Sequence, residues 1–457
     1  MKRNIIASLL LGAAVMVSCN KKLDIEPRQS IDAATAIQNA SDVESAVIGC
    51  YSLMGSGTLY GTSLFLDADL QAAEGYCSWR GTFQSQRQIA NKTMTRDNGE
   101  ANTLWTSAYQ AINMANIVLA NINLVTDADL KNQLEGEALF TRAIMHFELV
   151  RYFGLPWGAV AGNTQPGIVI KTTPTTTEEQ AFAKAPRNTV ADVYTQIITD
   201  LGAAINKLPE DNGTRADKFT ALAFLSRVYL QQGNYAAARD AASAVIESGK
   251  YAMNASVRAV FDNKNTDESI WEIQQNDQNN AGTANNGMAT FYASLPGIGR
   301  ADVRMVAAFL NTYNVNDLRF NQWYYVGTGA RPGNFYCGKW RSFSMNLPVI
   351  RIAEMYLTRA ECNLRLGTTV GDTPANDLAE IRNPIRTNLN VIAAPTLADV
   401  LAERRLELAF EGVRIHDIKR LQGATGSFAW NSNLLVFPIP QREVDATGGV
   451  IVQNPGY

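Results

Sequence analysis

Residues 219–251 read FTALAFLSRVYLQQGNYAAARDAASAVIESGKY, and their spacing predicts two antiparallel helices joined by a tight turn. One face of the first helix is formed by Leu222, Leu225, Ser226 and Tyr229. Gly233 and Asn234 supply the turn, because glycine readily adopts the left-handed conformation that ends a helix. The second helix packs through Tyr235, Ala238, Ala242 and Val245 and ends at Gly249. The unit predicts a chain built from helix pairs.

This unit resembles a tetratricopeptide repeat, with small residues where two helices cross closely. The Trp that opens that repeat and the Pro that closes it are absent, so the copy is degenerate. Two further pairs are predicted: residues 103–122 with 131–153, and 350–367 with 377–388, where Pro384 limits the second helix. Because one pair cannot bury its own apolar faces, we expect several pairs to stack into one right-handed scaffold in a mostly α fold.

Two other segments have a clear helical pattern. ASDVESAVIGCYSLM (40–54) places Val43, Val47, Cys50 and Tyr51 at helical spacing. Residues 133–153 are apolar nearly all round, which is typical of a buried helix, and Gly154 with Pro156 ends it. His146 lies on this helix and His416 near another helix end, so core or capping roles are the interpretation for both.

The N-terminus resembles a bacterial lipoprotein leader. Lys2 and Arg3 precede an apolar run of about 13 residues, too short to span a bilayer, and Ser18-Cys19 follows. The match is loose, because Met16 stands where Leu is usual. We predict a signal peptide over residues 1–18 and lipid attachment at Cys19; an ordinary secretory leader is the alternative.

The other cysteines are Cys50, Cys77, Cys337 and Cys362, without a C-x-x-C or metal-ligand spacing. Disulfides are possible in an exported protein, but the apolar helical surroundings of Cys50 and Cys362 favour buried free thiols.

The composition excludes several classes of function. The 457 residues carry a net charge of −3 and no basic patch, so nucleic acid is a poor candidate partner. There is no G-x-S-x-G, P-loop or dinucleotide fingerprint, and no metal-binding frame around either His, so we predict no catalytic residue, metal ligand or cofactor. A glycosidase carboxylate pair remains an alternative.

Acidic and basic residues alternate in the segment around residue 407. Glu403, Glu407 and Glu411 follow helical spacing and interleave with Arg404, Arg405 and Arg414. The pattern predicts an ion-paired helix face, with these residues packing inward: Leu406, Ala409, Phe410 and Val413.

Long aperiodic stretches predict loops at 171–189 and 274–300. Two other segments present rings between Gly, Asn and Arg: EGYCSWRGTFQSQR (74–87) and NQWYYVGTGARPGNFYCGKWRSF (321–343), the latter a short hairpin or loop. Sugars bind through apolar C–H faces that stack on rings, while Arg and Asn address hydroxyl groups. The predicted ligand-binding residues are Tyr76, Trp79, Arg80, Trp323 and Tyr324.

Three blocks near the C-terminus, LPVIRIAEMYLTRAECNLRLG, LAERRLELAFEGVRIHDIKR and LVFPIPQREVDATGGVIVQNPGY, resemble the signature of the SusD/RagB family, outer-membrane lipoproteins of Bacteroidetes. CNKKLDIEP, TLWTSAYQAINMANIVL and EGEALFTRAIMHFELVRYFG extend the resemblance over nearly the whole mature chain.

The resemblance implies tetratricopeptide-like helix pairs with an irregular, loop-rich ligand-binding part. It also implies a lipid-anchored protein on the outer face of the outer membrane. Such a protein binds oligosaccharides, or peptides in some members, without catalysis and caps a SusC-like TonB-dependent transporter. The predicted regions are 19–215 (N-terminal helical), 216–250 (helix pair) and 270–457 (C-terminal domain). A peptide binder, an enzyme and a purely structural adaptor remain the alternatives.

Overall fold

Helices form most of the regular secondary structure in residues 37–457, the part of the chain that the computed structural model describes. In chain order they are α1 (Ala40–Met54), α2 (Ser63–Gln71), α3 (Gln84–Asn91), α4 (Gly99–Asn121), α5 (Ala128–Phe153), α6 (Glu178–Phe182), α7 (Val190–Lys207), α8 (Lys218–Gln232), α9 (Tyr235–Glu247), α10 (Ala259–Asp262), α11 (Met288–Tyr292), α12 (Ala307–Leu310), α13 (Leu318–Trp323), α14 (Ile352–Leu366), α15 (Pro374–Ile381), α16 (Pro384–Thr387), α17 (Leu397–Glu407), α18 (Arg414–Arg420) and α19 (Gln441–Ala446). The mostly α prediction is confirmed. The predicted leader and Cys19 lie outside the described residues.

The strands are short and form antiparallel pairs. They are β1 (Cys77–Trp79), β2 (Ser269–Ile273), β3 (Val303–Met305), β4 (Tyr324–Val326), β5 (Phe335–Cys337), β6 (Leu347–Arg351), β7 (Ala424–Thr425) and β8 (Phe428–Ala429). β1 pairs with β3, β2 with β6, β4 with β5 and β7 with β8. The hairpin predicted within 321–343 is confirmed as β4–β5.

Residues 219–251 form the helix pair that their spacing predicts. Asp217 begins α8 by accepting the backbone N–H of Thr220 at 2.7 Å, and Gly233 ends it with φ of 72°. Ser226 donates its hydroxyl to the carbonyl of Ala238 on α9 at 2.9 Å. The small side chains at these two positions let the helices approach each other this closely. The buried surface of α8 is wider than the single face that the sequence predicts, because the helix is buried on most sides. Two residues of the predicted face, Leu222 and Tyr229, are only half-buried.

Neighbouring helices stack along the chain. α4 packs on α5, α5 on α7, α7 on α8, and α9 on α14, which in turn packs on α15. The two further predicted pairs are therefore confirmed, and Pro384 separates α16 from α15 as expected. The predicted loops carry some structure, since α6 lies within 171–189 and α11 within 274–300.

The buried helix α5 supports the core. Asp127 caps its N-terminus, and it ends at Phe153 before Gly154. His146 is fully buried, and this burial lowers its pKa to about 3. His416 packs edge-on against Tyr152, with ring centroids 5.6 Å apart. The core interpretation of both histidines is confirmed.

Cys50, Cys77, Cys337 and Cys362 are free and buried. Burial raises the pKa of Cys50 to about 12, so the neutral thiol is the stable form there. The free-thiol interpretation of Cys50 and Cys362 is confirmed.

The charged segment around residue 407 is ion-paired, but the predicted partners are wrong. Glu407 is fully buried and contacts Arg319 at 2.9 Å, Arg351 at 3.1 Å and Arg386 at 2.7 Å. These arginines come from α13, β6 and α16 rather than from α17 itself. A carboxylate can lie inside the fold because several cations from other elements converge on it.

Within residues 37–457, no helix combines the length and the apolar character that crossing a bilayer requires. Residues 39–457 form one compact unit.

Candidate functional site

Strand β3 brings the two ring-bearing segments of the sequence together. It pairs with β1, placing Ser78 opposite Arg304 and Trp79 opposite Val303. On its other side, Arg304 donates to the side-chain oxygen of Asn334, in the loop of the β4–β5 hairpin, at 3.2 Å. We call the surface formed here the ring–arginine surface: Trp79, Arg80, Phe83, Arg300, Asp302, Arg304, Tyr325 and Arg331.

Two of its rings rest on one buried ring. Trp79 is half-buried and Phe83 is 39% exposed, and their centroids lie 5.9 Å and 6.1 Å from that of Phe291. Gly81 allows the chain to fold over Trp79. A Cβ at residue 81 would lie 2.4 Å from Cζ2 of Trp79 and 2.8 Å from Cγ of Asp302, closer than any side chain permits. The rings therefore have a fixed arrangement, which suits stacking on a flat ligand face.

Asp302 holds the arginines next to the rings of Trp79 and Phe83. Arg300 and Arg331 pair with it at 3.0 Å and 3.3 Å, and the Arg80 backbone N–H donates to its carbonyl at 2.6 Å. Burial raises the pKa of Asp302, and the two arginines oppose that rise. The Arg300 guanidinium also lies 4.3 Å from the ring centroid of Phe83. Asp302 thereby fixes where the cations lie beside the rings.

The hairpin supplies the opposite edge of the surface. Tyr325 lies across from Tyr336, which donates its hydroxyl to the carbonyl of Arg331 at 2.7 Å. Burial raises the pKa of Tyr336, while the charges of Arg331, Arg304 and Arg80 act to lower it. The charges of three arginines from three separate segments therefore act on one hydroxyl.

The five predicted binding residues divide into two groups. Trp79 and Arg80 lie on the ring–arginine surface, half-buried and exposed respectively. Tyr76 and Trp323 are fully buried, and Tyr324 is 4% exposed, so the exposure on which their prediction depended is wrong.

Each of the three buried rings has a packing partner. Tyr76 stacks on Phe410 at 4.3 Å, and Trp323 donates its indole N–H to the carbonyl of Val257 at 2.8 Å. The Tyr324 hydroxyl lies 3.0 Å from that of Tyr313. Successive strand residues point to opposite faces, so in β4 Tyr325 faces outward where Tyr324 faces the core.

Six residues of the surface are not among the five predicted binding residues: Phe83, Arg300, Asp302, Arg304, Tyr325 and Arg331. Phe83, Tyr325 and Arg331 lie within the quoted segments, so ring and arginine content already marked them. Arg300, Asp302 and Arg304 come from β3 and its approach, a three-residue strand whose pairing no local pattern indicates.

A second concave region is an open groove of about 900 Å³ between α4, α6 and α19. Its lining includes Tyr109, Asn113 and Phe182, which is 72% exposed. Tyr109 donates to the carbonyl of Val169 at 2.7 Å, and Asn113 exchanges hydrogen bonds with the backbone of Thr175. These polar groups of the groove already form hydrogen bonds within the protein, so the groove is a weaker candidate for ligand binding than the ring–arginine surface.

The described residues contain no group of three or more His, Cys, Asp and Glu side chains placed to hold a metal ion. What the ring–arginine surface offers is stacking and hydrogen-bond donation.

Two family models match the chain. One, described as starch-binding associating with outer membrane, matches residues 22–230, and the SusD family model matches residues 338–434. Residues 231–337, which carry β3 and the β4–β5 hairpin, lie between the two matched ranges.

Related proteins extend the similarity over the full length. SusD-like protein P2 of Formosa agariphila is 26% identical, with 97% of each chain covered. The crystal structure of a putative sugar binding protein from Bacteroides vulgatus superposes with a TM-score of 0.82 at 26% identity, covering 93% of this chain and 100% of that one. A SusD superfamily protein from Bacteroides thetaiotaomicron has a TM-score of 0.81 at 26% identity, covering 92% and 100%.

Proposed function

The chain belongs to the SusD family of carbohydrate-binding proteins, and we propose that it binds an oligosaccharide on its ring–arginine surface and passes it to a SusC-like TonB-dependent transporter. It does so as a lipoprotein of the outer membrane, facing the cell exterior and anchored through Cys19. The protein performs no chemical step on the glycan.

One observation carries the proposal: half-exposed rings and arginine side chains from three separate segments share one surface. Trp79 and Phe83 offer apolar faces to sugar C–H groups, and Arg80 and Arg304 offer N–H donors to oxygen atoms. The sugar-binding description of the related Bacteroides vulgatus protein supports the same ligand class.

Isothermal titration of the purified chain against a panel of oligosaccharides tests the site. Phe83→Ala is the variant of choice, because this ring is exposed and its removal leaves the core packed. Loss of one stacking ring should weaken glycan binding about tenfold. Phe182→Ala, which removes an exposed ring from the groove instead, is the matched control and should bind as the parent chain does.

The result that contradicts the site is a reversal of these two variants, with Phe182→Ala weakened and Phe83→Ala unchanged. A peptide panel run in parallel distinguishes a glycan ligand from a peptide ligand. Release of reducing ends from any bound glycan would overturn the non-catalytic part of the proposal.

The anchor is tested by cell fractionation. Cys19→Ala should leave a folded protein that no longer sediments with outer membranes. If the variant stays with the outer membrane in cells that lack the transporter, the lipid-anchor proposal is wrong. Co-purification of the parent chain with a TonB-dependent barrel protein tests the partner separately.

A further inference from the structure

The ring–arginine surface carries more positive charge than the fold around it requires. The surface holds four guanidinium groups, from Arg80, Arg300, Arg304 and Arg331, and one carboxylate, that of Asp302, which pairs with Arg300 and Arg331 only. Four cations against one anion leave an excess of three positive charges. The chain as a whole has a net charge of −3, so this excess is local.

The excess belongs mainly to two arginines. Arg300 and Arg331 share Asp302, whereas Arg304 donates only to the neutral amide of Asn334. In the described part of the chain, neither Arg80 nor Arg304 makes an ion pair. Arg87 donates to the carbonyl of Gly81 at 3.1 Å and adds a further cation on the neighbouring turn.

Neighbouring like charges repel one another, and folding alone supplies no reason to gather them. A surface of one sign attracts ligands of the other sign and raises their local concentration. The planar fork of a guanidinium group also matches a carboxylate or sulfate group with two parallel hydrogen bonds. A ligand that carries only neutral hydroxyl groups would gain neither the charge attraction nor the paired hydrogen bonds.

We propose that the ligand is an acidic glycan, whose carboxylate or sulfate groups pair with Arg80 and Arg304 while its sugar rings stack on Trp79 and Phe83. This inference rests on the proposed function and specifies the substrate class of the same site. Residues 300–335 of the surface lie outside both matched family ranges, so neither family model covers this part of the site.

Charge-matched pairs of polysaccharides test the inference. Polygalacturonate is compared with its fully methyl-esterified form, and dextran sulfate with dextran, by isothermal titration at two salt concentrations. We expect the charged member of at least one pair to bind about tenfold more tightly or better, and to weaken as salt rises. The pair that shows the difference identifies a carboxylate or a sulfate ligand.

The outcomes separate the two proposals. Equal binding of charged and neutral members leaves the glycan-binding function standing and overturns the acidic-glycan inference. Binding of no glycan at all overturns both. Equally tight binding of polyglutamate would move the ligand class to acidic peptides and likewise overturn the inference.

Variants localise the effect. Arg304→Gln and Arg80→Gln should each weaken the acidic member about tenfold and a neutral glycan much less, because Gln keeps an N–H donor but loses the positive charge. Arg442→Gln on α19 is the matched control, because its side chain is 66% exposed and pairs only with the neighbouring Glu443. Arg442 also lines the groove between α4, α6 and α19, so a loss of the same size in Arg442→Gln would assign binding to overall charge or to that groove and overturn the inference.

Discussion

Two arginine-rich regions of the molecule differ in how their charge is balanced. Around Glu407, five cations meet five anions in the interior: Arg319, Lys339, Arg351, Arg382 and Arg386 with Glu268, Asp317, Glu403, Glu407 and Glu411. On the ring–arginine surface, only Arg300 and Arg331 of the four arginines pair with a carboxylate, that of Asp302. The cluster around Glu407 pairs each of its cations with carboxylates, because an unpaired buried charge is unstable. The surface leaves cations unpaired, and these are available to a ligand.

The largest expected effect comes from unbalancing the interior. Glu407→Gln leaves Arg319, Arg351 and Arg386 without their shared carboxylate and should lower the free energy of unfolding by about 3–5 kcal/mol. Denaturant unfolding of parent and variant measures it. Glu443→Gln, at an exposed ion pair on α19, is the control and should change stability by less than about 1 kcal/mol. Equal losses in both variants would contradict the comparison.

A smaller effect concerns pH. Burial alone would raise the pKa of Glu354, but Arg227 and Arg404 outweigh it and lower this pKa to about 2. Because the unfolded chain takes up this proton near its ordinary pKa of 4.5, stability is present above that pH and is lost as pH falls toward 2. The denaturant midpoint should therefore decrease over this range. Glu354→Gln should make this decrease of the midpoint with falling pH shallower. An unchanged pH dependence would show that other groups cause the loss of stability in acid.

A third prediction concerns the position of the Trp79 ring on the ring–arginine surface. Gly81→Ala introduces a Cβ against the Trp79 ring and Asp302, so the ring must shift. Glycan affinity should fall several-fold, by about the amount that loss of one aromatic contact causes. The control is Gly202→Ala on α7, because a Cβ added there lies in open space, and this variant should bind glycan normally. Gly213→Ala is not suitable, because the φ of Gly213 is positive and any side chain there would strain the backbone. Unaltered binding in Gly81→Ala would show that this ring does not contact the glycan.

The smallest stability effect is expected on the surface itself. Arg304→Gln should change the free energy of unfolding by no more than about 0.5 kcal/mol while it weakens an acidic glycan. A destabilisation comparable with that of Glu407→Gln would place Arg304 among the structural arginines and remove the distinction between the two regions.

The sequence predicted the scaffold well because helix pairs are local. The 3.6-residue period, Gly233 and Pro384 each act within one or two turns, so α8, α9, α14 and α15 follow from neighbouring residues. Charge partners are not local. Glu407 finds Arg319 and Arg351 across long stretches of chain, and the alternation of charges along α17 therefore suggested the wrong pairing.

The site shows the same limit. The sequence marked Trp79 and Arg80, but Trp323, Tyr324 and Tyr325 are adjacent and only the strand pairing decides which ring faces outward. Arg300 and Arg304 carry no motif and join the site only because β3 pairs with β1.

Hydrogen–deuterium exchange with and without bound glycan tests the central claim most directly. The account predicts that the ligand slows exchange of backbone amides in three separate segments, 79–84, 300–304 and 325–335, together. Protection confined to the groove, in residues 105–117 and 180–185, would contradict it.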